Sequence, residues 1–268
     1  MLRKLFKHEM HATARMYLPL FGLLAVMTAL NKLMGMLTRP GTTSVYEGIL
    51  MFVYVMSVIA VPVAIVIITI QRFYKNLLCD EGYLMFTLPV RSEQLILSKL
   101  FASVIWCAAG ALFAALSILV TVMDAKAWRV LPQVLRDFAE FLRVRADVNF
   151  WAFAAEAVVA VLVSLCTWIL IVYCAMALGQ LFHKNKLFAS FGMYLALNTG
   201  LQIVMTVVIS FFVKLQTDYS IFDPLIDGMT EIVVMHSVMG IAIVFGLVCA
   251  AGFFFATNGL LKKKLNLE

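Results

Sequence analysis

Six blocks of nearly unbroken apolar sequence, near residues 17 to 38, 48 to 70, 94 to 123, 151 to 178, 188 to 213 and 233 to 258, constrain this chain more than any other feature. A helix rises about 1.5 Å per residue and a bilayer core is about 30 Å thick, so about 20 apolar residues suffice to cross it. Within the core only a helix or a closed barrel satisfies its own backbone, and a barrel would show short alternating strands instead. The expectation is an all-α integral membrane protein with six transmembrane helices in a single domain, 1–268. At 63% apolar and 13% charged residues, the composition lies outside the range of a water-soluble domain.

Pro19, Pro62 and several glycines fall inside the blocks. Membrane helices tolerate them because neighbouring helices re-satisfy the freed backbone groups. The first block is longer than a signal-peptide core, and no small-x-small site follows Leu37 before Arg39 and Pro40, so it reads as a span. Cys107, Cys166, Cys174 and Cys249 fall within spans and Cys79 in a connection, with no pair at metal-ligand spacing. Free thiols are expected, and neither a disulfide framework nor a metal site.

With six spans both termini share a side, and thirteen of the 21 lysines and arginines lie on it. Five of the other eight are concentrated in residues 124 to 149, so the short connections follow the positive-inside rule and both termini are expected in the cytoplasm. Attraction to anionic lipid, about 1 kcal/mol per basic residue near the surface, accounts for that basic inner face without a nucleic-acid partner.

Outside the spans, residues 1 to 15 place Leu2, Leu5, Phe6 and Met10 at helical spacing among basic residues, which predicts an interfacial amphipathic helix on the inner leaflet. His8 and His11 read as solvated side chains. In residues 124 to 149, Trp128, Leu131, Leu135, Phe138 and Leu142 form one stripe and Arg129, Gln133, Arg136, Asp137, Glu140 and Arg143 the other, with Pro132 in the first turn. That outer helix is either a lid over an exit path or a cap lying on the outer leaflet. The last outer connection, KLQTDYSIFDPLIDGMTE, reads as a packed turn without a calcium-loop pattern.

Residues 71 to 93 are cytoplasmic on this topology and unusually apolar for a connection. Asp80 can cap a short helix supported by Glu81, Pro89 marks its end, and Ser92 caps the third span with Glu93 in its first turn. Tyr83, Leu84, Phe86 and Leu88 then need a cover, either their own bundle or a groove on another protein. The string FYKNLLCDEGYLMFTLPV, followed by Ser-Glu-Gln, resembles the first cytoplasmic loop of permease subunits of bacterial ABC transporters of the type-2 exporter class. The ending LLKKKLNLE resembles the same subunits.

That resemblance implies that the chain is half of a dimeric pathway, completed by a second permease copy or a paralogue in the bacterial cytoplasmic membrane. It also implies a coupling helix, formed by Asp80, Glu81, Gly82, Tyr83, Leu84, Phe86, Thr87, Leu88 and Pro89, that docks into a separate ATPase subunit holding ATP and Mg. The chain departs from the family in one respect: its longest outer segment joins the third and fourth spans, whereas the family usually elaborates the connection between the fifth and sixth.

No G-x-x-x-x-G-K-[ST] loop is present, so ATP hydrolysis is expected in the partner and not in this chain. Two rival readings stand beside the exporter: an intramembrane enzyme, for which H-E-x-x-H and G-x-S-x-G are missing, and a non-transporting membrane scaffold or sensor. His183 and His236 read as surface and packing residues. Polar groups within spans are the candidates for a substrate path: Asn31 and Lys32 in the first span, and Asn198, Thr199 and Gln202 in the fifth. They line a route for a partly apolar or peptidic cargo, or they join helix to helix at about 1 kcal/mol or less each. Glu156, near the outer end of the fourth span, reads as snorkelling outward.

Overall fold

The protein is described from a computed structural model covering residues 2–37, 45–78, 90–123, 125–146, 150–182, 185–219 and 231–263. Its helices are α1 (Leu2–Leu37), α2 (Val45–Phe73), α3 (Ser92–Val122), α4 (Ala125–Ala146), α5 (Phe150–Gly179), α6 (Lys186–Tyr219) and α7 (Glu231–Lys263). α2 runs on into a π-helical turn, Tyr74–Leu78. Six of these helices, all but α4, contain stretches long and apolar enough to cross a membrane, so the chain is a multi-pass membrane protein, all-helical among the described residues.

Three local features differ from the sequence reading. Residues 2 to 15 form no separate interfacial helix; α1 is continuous over 36 residues, about 54 Å at 1.5 Å per residue. No Gly or Pro breaks it before Pro19, and burial of Glu9 and Thr13 holds its first turns against neighbouring helices. Ser92 is the first helical residue of α3, not its cap. Arg91 occupies the cap position in extended conformation, and its carbonyl accepts from the Gln94 and Leu95 N–H groups. Pro132 is an interior residue of α4, beyond its first turn, and it is exposed. The Trp128 carbonyl therefore lacks the helical N–H it would otherwise receive.

The chain packs as two compact units, residues 1–134 and 135–268. In the first, α1, α2 and α3 pack pairwise against one another. Tyr17 and Leu24 of α1, Tyr54, Val61 and Ile65 of α2, and Trp106 and Ala114 of α3 meet at the centre. The Tyr17 and Trp106 rings lie 4.9 Å apart, and Phe21 stacks on Phe113 at 5.3 Å. Gly110 faces Ile65 so closely that any added Cβ would strike the isoleucine side chain. Outward, Met16, Leu23, Val26, Phe52, Ile59 and Val63 are exposed. A lipid surround makes that arrangement favourable, since apolar side chains lose nothing by facing acyl chains.

In the second unit α5 packs against both α6 and α7. Its residues 169–177 are all buried. Trp168 Nε1 donates to Tyr194 on α6 at 3.3 Å, and Thr167 Oγ1 lies 3.1 Å from the Gly246 carbonyl on α7. Asn185 precedes α6 with φ 54°, a left-handed conformation that asparagine tolerates.

The tightest approach is between Gly179 and Ser190, where a Cβ on Gly179 would sit 2.6 Å from both the Ser190 backbone nitrogen and its Cα. Gly179→Ala is therefore expected to destabilise the protein by about 1–3 kcal/mol, the usual range for overpacking, seen as a lower melting temperature in detergent. Ser190→Ala should not rescue it, because the obstruction is main chain.

Candidate functional site

At the terminus-side end of the first unit three charged side chains converge. Lys99 Nζ of α3 donates to Glu9 Oε1 of α1 at 2.5 Å, and Arg72 of α2 lies 3.6 Å from Glu9 Oε2. The Lys99 and Glu9 side chains are 4% and 8% exposed and that of Arg72 21%, so the pair is desolvated and Arg72 closes it on the rim. Arg72 and Lys99 flank the connection between α2 and α3, and the π-helical turn with buried Leu77 and Leu78 lies immediately beyond Arg72. Glu9 thus ties both shoulders of that connection to α1.

A polar ladder continues from this clamp along the same seam. Trp106 Nε1 donates to Thr13 Oγ1 at 2.8 Å, and Tyr17 shares a hydrogen bond with Thr69 at 3.2 Å. After an apolar middle around Leu24, Val61 and Ile65, Ser117 meets both Thr28 at 2.7 Å and Tyr54 at 2.9 Å. Helices alternate in direction, so the positions ascend on α1 and α3 while they descend on α2. The physical reason for the ladder is the solvent: lipid offers no hydrogen bonds, so polar side chains inside the bundle take partners from another helix, as these do, or from the carbonyl one turn back on their own, as Ser57 and Ser98 do.

Of the residues expected to line a path, Asn31 donates to the Leu50 carbonyl at 3.1 Å, and Lys32 Nζ donates to the Met123 carbonyl at 2.6 Å. Both belong to helix-to-helix contacts at the far end of the first unit. Asn198, Thr199 and Gln202 lie in the second unit within about 100° of one another on α6, by 3.6 residues per turn, with Asn198 half-buried and the other two exposed. The expected coupling residues, Asp80 to Pro89, lie outside the described residues, as do Cys79 and His183.

Glu156 and His236 differ from their sequence reading. Glu156 Oε2 meets His236 Nδ1 at 2.6 Å, pairing α5 with α7, and Phe153 presents an edge contact to the imidazole. The four described cysteines, Cys107, Cys166, Cys174 and Cys249, are free thiols. Cys174 and Cys249 line an apolar groove of about 660 Å³ between α5, α6 and α7, together with Leu197 and Phe253. No group of three metal-ligating side chains occurs among the described residues.

Glu9 escaped the sequence reading, yet a signal existed. It is the one acid among residues 1 to 15, and Lys99 is the one charge between residues 94 and 123. A lone charge inside an apolar block implies a partner elsewhere.

The fold and this seam define a helical membrane protein with a buried ionic clamp beside its second connection. No family model matches the chain, and no curated protein or solved structure matches it either.

Proposed function

We propose that the chain is the transmembrane subunit of an ATP-driven exporter, moving a partly apolar or peptidic cargo across the bacterial cytoplasmic membrane. Alternating access would be driven by a separate ATPase subunit, with a second permease copy or paralogue completing the pathway and both termini in the cytoplasm. The observation that carries this reading is the string DEGYLMFTLP, an apolar, acid-led segment in the connection between the second and third of six spans. It is supported by the clamp: a loop that receives force from a partner must be held to the bundle at both shoulders, and Glu9 bonds to Arg72 on one and Lys99 on the other. A desolvated ion pair transmits displacement well, because separating it in low dielectric is costly.

The test is affinity purification of the tagged chain from its native membrane, followed by mass spectrometry and ATPase assay. A nucleotide-binding subunit is expected to co-purify, and turnover is expected to vanish when that subunit is stripped. Turnover that persists in the chain alone, or the absence of any nucleotide-binding protein from the purified complex, would overturn the proposal.

A further inference from the structure

α4 does not belong to the six spans, yet it is 22 residues long and over residues 128–141 divides around its axis into an apolar and a polar side. Trp128, Val134, Leu135, Phe138 and Phe141 occupy one half, and each is 42–54% exposed. Arg129, Gln133, Arg136, Asp137 and Glu140 occupy the other half and are also exposed. An apolar half-cylinder of that length needs a cover.

Chain continuity says what the cover is. α3 ends at Val122, with the Met123 N–H bonded to the Leu119 carbonyl and the Met123 carbonyl held by Lys32. α4 begins at Ala125, after two intervening residues, and α5 begins at Phe150, with three residues between it and Ala146. At no more than about 3.6 Å per residue, these links keep both ends of α4 within about 15 Å of a span end. Spans joined in sequence alternate in direction, so the link between the third and fourth spans, which holds α4, falls on the face opposite the termini. A rod of about 33 Å held at both ends to one face lies along that face. Its apolar half then points into the acyl boundary. The charge balance fits the headgroups: residues 125–146 carry five basic side chains against two acidic ones. Trp128 in the first turn suits the interface, where an amphipathic ring is best accommodated.

We propose that α4 is an interfacial helix seated in the leaflet opposite the termini, its Trp128–Phe141 face in the acyl boundary and Arg129 and Arg136 against the phosphates of anionic lipid. This does not depend on the chain being a transporter subunit.

The experiment places a nitroxide at single cysteines, Leu135→Cys, Phe138→Cys, Arg136→Cys and Glu140→Cys, in full-length chain freed of its native cysteines and reconstituted in vesicles. Collisions with a water-soluble nickel chelate should be lost at 135 and 138, with oxygen collisions retained, and the opposite should hold at 136 and 140. Adding phosphatidylglycerol to phosphatidylcholine should draw the label at 138 deeper, and Arg129→Gln with Arg136→Gln should abolish that shift. Because the cysteine-free background could misfold, the native chain supplies a second measurement: quenching of tryptophan fluorescence by brominated lipid should fall with Trp128→Phe. Nickel access at all four sites would overturn the proposal. So would spin-spin broadening at 135 and 138 that disappears on dilution with unlabelled chain, the mark of a second copy on that face. A depth at 138 that ignores phosphatidylglycerol would overturn the role given to the arginines.

Discussion

Lys99→Met is expected to destabilise the first three-helix unit by about 3 kcal/mol, the lower end of the range for breaking a buried ion pair from one side. The reason is the carboxylate left behind. Glu9 is 6% exposed, and only Arg72, at 3.6 Å, would remain of the two cations that meet it. Exposed pairs contribute about 0–1 kcal/mol, so an effect of this size distinguishes a desolvated clamp from a surface contact. The double variant Glu9→Gln with Lys99→Met should recover most of the loss, since neither side then strands a charge, while exposed Lys75→Met should change nothing. Cys107 packs at the edge of the same core, so the temperature at which it begins to react with a maleimide in detergent reports the opening of this unit. Equal onset temperatures for Lys99→Met and Lys75→Met would show that Glu9 and Lys99 are not desolvated in the protein.

The second large effect concerns the loop and follows from the proposed function. Tyr83→Ala is expected to weaken binding of the ATPase subunit by about 2 kcal/mol or more, roughly thirtyfold in affinity, as for an aromatic anchor in a desolvated pocket. Glu81→Arg should weaken it as well if the receiving cleft is basic, through like-charge repulsion. The measurements are co-purification of the subunit, cargo-stimulated ATP turnover, and the Cys107 onset temperature of each variant alone. Loss of complex at unchanged onset temperature is the expected result. Complex and turnover that both survive would mean that Tyr83 packs under its own bundle, and the coupling role would fall. Lys99→Met separates the two roles further: it should lower the onset temperature whether or not a partner is bound, whereas Tyr83→Ala should not.

The division between what was legible and what was not follows from range. Six spans could be read directly, because crossing a bilayer requires about 20 apolar residues in one helix, a demand each segment meets by itself. The helix over 125–146 was equally legible, since a two-sided pattern repeats within it at helical spacing. The continuity of α1 was not, because the basic N-terminal segment has the composition of an interfacial helix, and burial of Glu9 and Thr13 against other helices is what extends it. The same holds for the pairs: Glu9 finds Lys99 90 residues away and Glu156 finds His236 80 residues away. No local pattern encodes those distances. The sequence by itself determined how many helices are long and apolar enough to cross a membrane, and that the helix over 125–146 is two-sided, since each pattern lies within a single segment. Which polar groups meet across helices, and that the two shoulders of the second connection are tied to a single carboxylate, was decided only by tertiary packing, where the lack of water leaves a buried charge to seek its partner on another helix.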